Sequence, residues 1–171
     1  LLTENQEDLI ALKSLLENHK LVFNIASKEQ FKEIWDNKQM YTLQALRNLK
    51  TDLDLVTTMT MLVNEGYKLA VCSNSIRKTV LTVLSKLGII EFFDLILSNE
   101  DVKNSKPHPE IYWKAISEMG CLPEETLIVE DSPYGLLAAS RSKSHILRVG
   151  SPKEVTYINI KNKINKFMLK I

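Results

Sequence analysis

The chain has 171 residues, 44% of them hydrophobic and 25% charged, with a formal net charge of +1. That length and balance suit one globular domain, or a domain with a small appendage, and exclude wholesale disorder. The near-neutral charge disfavours a strongly basic nucleic-acid binder, so no nucleic-acid partner is expected. Cys72 and Cys121 cannot make a disulfide framework, and neither pairs with a histidine at zinc-ligand spacing. No apolar run approaches membrane-spanning length and no charged-then-apolar signal opens the chain. A cytoplasmic setting without a membrane partner is the expectation. The first residue is Leu1 rather than Met, so these residues are expected to be the inside of a longer protein.

All five glycines and all five prolines lie at or beyond Gly66. Turns rely on both residue types, so the stretch before Gly66 should be nearly all helix. Leu9, Leu12, Leu15 and Leu16 recur at helical spacing. Ser27 with Gln30 three residues on forms a capping box for a second helix, which carries Phe31, Ile34 and Trp35 and runs to Leu49. Asp52 or Asp54 caps a third helix holding Met59, Leu62 and Val63, with Gly66 as its left-handed end.

From there strands and helices alternate. Residues 67–72 read as a buried strand, 76–87 as a helix stopped by Gly88, and 93–97 as a second strand. A helix with Pro109 in its first turn runs to Gly120. Residues 126–129 form a third strand, 134–140 a helix and 146–149 a fourth strand. This rhythm predicts an α/β fold with a parallel sheet covered on both faces. Beyond Ser151 the pattern weakens, and Lys161, Lys163, Lys166 and Lys170 read as a solvated helix face.

In such sheets ligands collect outside the carboxyl ends of the strands. After the first strand stand Ser73, Asn74 and Ser75 at a helix start, where a hydroxyl and free N–H groups suit an anion. The alternative is that a serine only caps the helix. After the second, Lys106 sits between Ser105 and the stiffening Pro107 and Pro109, placed to neutralise a phosphate or else an ordinary turn lysine. His108 reads as a helix cap or an exposed residue. After the third, Glu130 and Asp131 stand side by side. Burying two acids is costly unless a cation or hydrogen bonds offset it, and hard oxygen ligands suit magnesium. Together these are the means to hold a phosphate beside a metal.

The run from Gly66 to Gly150 resembles the haloacid dehalogenase-like superfamily, in its branch of small phosphatases and β-phosphoglucomutases. Residues 67–74, ending Cys72-Ser73-Asn74, look like the second family motif. Ser105-Lys106-Pro107-His108-Pro109-Glu110-Ile111-Tyr112 is similar to the third, with serine where glycine is common, and Ile128-Val129-Glu130-Asp131-Ser132-Pro133-Tyr134-Gly135 resembles the fourth. The resemblance implies a Rossmann-like parallel sheet with a small α-helical cap. It divides the chain into a cap over residues 1–51 and a core over 52–171. It also implies that Ser73 and the Asn74 backbone bind the transferring phosphoryl group, that Lys106 neutralises it, and that Glu130 with Asp131 binds Mg²⁺. Lys38 stands where the branch can carry a substrate-contacting lysine in the cap.

The first motif of the family, an apolar strand ending in Asp-x-Asp, is not found. Asp52-Leu53-Asp54 follows a helical segment instead of a strand and reads as a decoy. Residues 21–26 are apolar enough for a strand, but Asn24 and Ala26 supply no carboxylate. The expectation is a core lacking its central first strand, in a chain inactive by itself. The complete protein would be a Mg²⁺-dependent phosphatase acting on a small phosphorylated metabolite through an aspartyl-phosphate. The alternatives are a catalytically inactive binding protein of the same fold and a β-phosphoglucomutase-like mutase. The latter is disfavoured because no cap arginine stands near Glu4 to Asp8.

Overall fold

The computed structural model describes residues 28–168. The chain divides into two compact units, Leu1–Leu49 and Lys50–Ile171. The leucine-rich stretch from Leu9 to Leu16, the Ser27 cap and the apolar run over 21–26 lie outside the described residues. In the first unit, α1 (Lys28–Ala45) tightens into a 3-10 turn, Leu46–Asn48, and stops where Leu49 becomes extended.

The second unit opens with α2 (Leu53–Asn64). Asp52 is its N-cap, with the carboxylate accepting from the Leu55 N–H at 3.0 Å. This satisfies one of the free amides of the first turn. The acid of the decoy motif is therefore used as a helix cap. Gly66, at φ +84°, turns the chain out of α2. Then follow β1 (Ala70–Cys72), α3 (Arg77–Leu87), β2 (Leu95–Leu97), α4 (Glu110–Met119), β3 (Leu127–Glu130), α5 (Pro133–Ser142), β4 (His145–Arg148) and α6 (Tyr157–Met168).

The strands are parallel, as expected, and form two ladders. Ala70, Val71 and Cys72 face Leu95, Ile96 and Leu97 across the first. Residues 127–130 face 145–148 across the second. Among the described residues β1 pairs only with β2, and β3 only with β4. β1 and β2 are shorter than the sequence predicts because Asp94 intervenes. Its carboxylate accepts from the Leu69 N–H at 2.8 Å, and its own N–H donates to the Leu69 carbonyl.

Side chains alternate between the two faces, as strand geometry requires. Val71, Ile96, Leu127, Val129 and Leu147 pack against α2, α3 and α6, whose buried contributions include Leu62, Leu84 and Ile160. Cys72, Leu97, Ile128 and Ile146 pack against α4 and α5 through Ile111, Ala115, Ala138 and Ala139. Helices thus cover both faces. Glu130 shares the parity of Ile128 and so enters the α4–α5 side.

Two elements depart from the sequence expectation. α5 runs on to Ser142 because Lys143, at φ +67°, takes the left-handed terminal position usually given to glycine. α6 is a core helix, anchored by Ile160 and Ile164 four residues apart. Lys161 is no solvated lysine: it donates to Glu65 at 2.6 Å and to the Tyr67 hydroxyl at 2.8 Å, fastening α6 to the end of α2. No helix among the described residues is long and apolar enough to cross a membrane.

Candidate active site

The carboxyl ends of β1 and β3 meet at Lys106. Its Nζ donates to the Cys72 carbonyl at 3.0 Å, at the end of β1, and pairs with Glu130 Oε1 at the end of β3. Both side chains are buried, at 7% exposure each. One ammonium therefore ties the two ladders together. The loop before α4 holds the backbone of Lys106 in place. The Asn74 side chain accepts from the Lys106 N–H at 3.0 Å and donates to its carbonyl at 3.2 Å. Glu110, in the first turn of α4, accepts from the Lys103 and Asn104 amides and folds the loop back on the helix. Arg141 donates to the Pro107 carbonyl at 3.1 Å, and the Lys106–Pro107 peptide is cis.

Glu130 is a hub. Oε1 receives Lys106 and the Tyr112 hydroxyl, the latter at 2.6 Å. Oε2 receives the Asp131 and Ser132 amides and the Ser132 hydroxyl, at 3.1–3.2 Å. Ser132 also caps α5, accepting from the Gly135 N–H at 3.0 Å, so the cap is Ser132 and not Asp131. Burial pushes the Glu130 carboxyl up. The bonds from Lys106 and Tyr112 and the charge of Lys106 outweigh that, and hold it below the ordinary glutamate value. Burial raises the Cys72 thiol to about 12 despite the nearby Lys106 charge, which leaves it an inert core thiol.

Ser73 closes this end of the site. Its N–H continues the ladder to the Leu97 carbonyl at 2.9 Å, and its hydroxyl oxygen accepts from the Ser75 N–H at 3.1 Å. That leaves the hydroxyl hydrogen available to a ligand. Neither Ser73 nor Ser75 caps α3. The Arg77 amide is instead taken by the Glu100 carboxylate at 3.1 Å, and Ile76 is the N-cap. An anion here would be met by Ser73 and the turn at Asn74, with the Arg77 amide already spent on Glu100. His108 is 45% exposed, as one reading had it; its Nδ1 accepts from the Glu110 N–H at 3.2 Å, but the N-cap position of α4 is held by Pro109. Lys38 belongs to α1 of the first unit, its Nζ 4.9 Å from the centre of the Trp35 ring, with burial lowering its pKa.

The pattern of the family described as haloacid dehalogenase-like hydrolase matches residues 5–149. The chain belongs to this family. A pyrophosphatase PpaX of Halalkalibacterium halodurans is 38% identical over 85 residues, 50% of this chain and 40% of that protein. A haloacid dehalogenase-like hydrolase domain-containing protein of Arabidopsis thaliana is 42% identical over 80 residues, 45% of this chain and 25% of its own length. The chain thus spans less than half the length of these relatives. Among solved structures, a β-phosphoglucomutase from Clostridium difficile superposes with a TM-score of 0.73 at 22% identity, covering 92% of this chain and 78% of that one. A predicted phosphoglycolate phosphatase from Haemophilus somnus gives 0.68 at 21% identity, covering 91% and 76%. These likenesses agree with the α/β fold read from the strand–helix alternation.

Haloacid dehalogenase-like hydrolases generally use Mg²⁺, and the donor set can be tested for it. A carboxylate offers about four lone-pair positions, and Glu130 already takes five donors. In this arrangement Glu130 is the counter-charge of Lys106. Asp131 is exposed, and its carboxylate has no partner among the described residues. It fits a hard cation, which commonly takes one or two carboxylates and completes its shell with water and phosphate oxygens. Among the described residues no three His, Cys, Asp or Glu converge on a metal-sized point.

Tyr112 is the site residue that sequence reasoning missed. It is 5% exposed and lies in the apolar stripe of α4 with Ile111, Ala115 and Ile116. It closes the run 105–112 that resembles the third family motif, but was given no role there; its hydroxyl was the further signal, since a buried phenol requires a partner.

Proposed function

We propose that this chain supplies the phosphoryl-binding part of a Mg²⁺-dependent phosphomonoester or phosphoanhydride hydrolase. The buried Lys106 carries the reading. An ammonium has three donors; two are spent on Cys72 and Glu130, and the third is left for a phosphoryl oxygen. The Ser73 hydroxyl donates to a second oxygen, and the Asn74 turn supplies a backbone N–H. Such prearranged donors stabilise charge that grows on the phosphoryl oxygens as the ester bond breaks, without reorganisation at that moment.

Asp131 holds the metal, and Glu130 joins it only by giving up one of its donors. When bound, Mg²⁺ neutralises phosphoryl charge and orients the group. None of Ser73, Lys106, Glu130 or Asp131 is free to attack phosphorus while doing this work. The attacking aspartate comes from outside the described residues, as the family resemblance implies. Residues 1–51 serve as the cap, with Lys38 as its substrate contact. The substrate is a small phosphorylated metabolite, and pyrophosphate is the first compound to try because relatives carry that activity in their name.

The test is Mg²⁺-dependent phosphate release by the complete gene product containing this chain, over pyrophosphate, phosphoglycolate and β-glucose 1-phosphate. Activity that Lys106→Ala and Asp131→Asn both abolish supports the reading. Phosphate and Mg²⁺ binding without turnover on any compound supports instead a non-catalytic binding protein of the same fold.

A further inference from the structure

The geometry points to Tyr112 as a positioning residue that aims the free donor of Lys106. This rests on the reading of Lys106 as the phosphoryl-binding cation. A lysine stem has four soft torsions and its ammonium is a compact point charge, so one ion pair leaves it free to swing. Here three contacts confine it. The Cys72 carbonyl and Glu130 Oε1 take two of its donors, and the Tyr112 ring lies with its centre 4.7 Å from Nζ. The face of an aromatic ring attracts a cation at that distance. The hydroxyl of the same residue reaches Glu130 Oε1 at 2.6 Å.

Tyr112 therefore acts on both members of the pair. Its hydroxyl shares the oxygen that Lys106 uses, which fixes the carboxylate and draws off part of its charge. Its ring covers the α4 side of the ammonium and leaves the third N–H for a ligand. A residue needed only to fill space in this stripe would not carry a hydroxyl, because burying one unpaired is costly. Phenylalanine would serve a packing role as well.

The experiment uses the full chain labelled with ¹⁵N-lysine, and the variants Tyr112→Phe and Tyr112→Leu. The Lys106 ammonium resonance, assigned by its loss in Lys106→Ala, is followed alongside the Kd for inorganic phosphate. Tyr112→Phe keeps the ring, so the resonance is expected to shift and broaden while the amide spectrum stays folded. Phosphate affinity falls by about tenfold, the scale of one hydrogen bond to a charged group. Tyr112→Leu removes the ring as well, and the resonance is lost to exchange with water. If Tyr112→Phe lowers Tm but leaves the resonance and the Kd unchanged, the tyrosine is packing only and the proposal falls. Should the leucine variant fail to fold, the phenylalanine variant decides alone. If the parent chain binds no phosphate, the phosphoryl reading fails, and the ammonium resonance still tests Tyr112.

Discussion

The side chain of Asn74 grips the backbone of Lys106 at both ends of one residue, accepting from its N–H at 3.0 Å and donating to its carbonyl at 3.2 Å. The two residues are 32 positions apart, on loops that leave different strands of the first ladder. A side-chain amide can do both with a single planar unit. It makes the position of Lys106 depend on the turn after β1, so the Ser73–Asn74 turn and the Lys106 ammonium are held as one piece.

Asn74→Ala should therefore separate stability from activity. Both bonds are solvent-exposed, and their loss should cost about 1 kcal/mol of unfolding free energy. Turnover should fall much further, by about tenfold or more, because small displacements of a charge-stabilising group are expensive in the transition state. Urea unfolding together with steady-state phosphate release on the complete gene product checks this. Equal proportional losses in both would show that Asn74 does no more than hold the loop.

Gly135 gives a sharper steric prediction. A Cβ built there would overlap the Glu130 carboxylate. Gly135 lies in the first turn of α5, where helix propensity by itself favours alanine by about 1 kcal/mol. The clash is with a side chain held by five donors, which cannot yield cheaply. Gly135→Ala should destabilise by about 2 kcal/mol or more, on the scale of overpacked cores. A stabilised variant in chemical denaturation would mean that Glu130 is free to move.

The acid limb of stability should carry the mark of Asp101. Burial pushes its carboxyl up, but the Ser98 N–H and hydroxyl, each at 2.7 Å, and Arg77 pull it down to about 2. The folded value lies below the ordinary 3.8. Its contribution is thus complete above about pH 4 and is lost as pH falls from there toward 2. Asp101→Asn should flatten the stability profile in that window. At neutral pH it should cost about 1 kcal/mol, since water screens the half-exposed Arg77 partner. Thermal unfolding between pH 2 and pH 7 measures both. An unchanged acid slope in the variant would assign the effect to other carboxylates.

The site was legible where chemistry sits on strand ends, and less so where it depends on what faces what across the fold. Ser73, Glu130 and Asp131 follow apolar runs directly, and Lys106 stands beside two closely spaced prolines, so their residue types stand out. Tyr112 does not, because an aromatic within a buried helical stripe looks like packing. The strand lengths were misread because the Asp94 side chain replaces ladder bonds at Leu69, and no local pattern announces that. The end of α5 was missed because a lysine, Lys143, occupies a conformation that sequence reasoning reserves for glycine or asparagine. The buried face of α6 was hidden among lysines, one of which, Lys161, is itself spent on Glu65 and Tyr67.

The Lys106–Glu130 pair allows one more test, in which the order of two variants matters more than either magnitude. Both side chains are 7% exposed, so removing one partner strands a buried charge. Lys106→Met leaves Glu130 with the Tyr112 hydroxyl, two amides and the Ser132 hydroxyl, which still solvate the carboxylate. Its cost should stay near 3 kcal/mol, the low end for a broken buried pair. Glu130→Gln is the nearly isosteric change, yet it should cost more. Donors converge on both carboxylate oxygens: Lys106 and Tyr112 on one, and Asp131 and Ser132 on the other. Whichever way the glutamine amide flips, its NH₂ faces donors, and Lys106 loses its counter-charge. Unfolding free energies of the two variants at neutral pH decide the matter. A glutamine variant more stable than the methionine variant would show that the ammonium, and not the carboxylate hub, organises this end of the sheet.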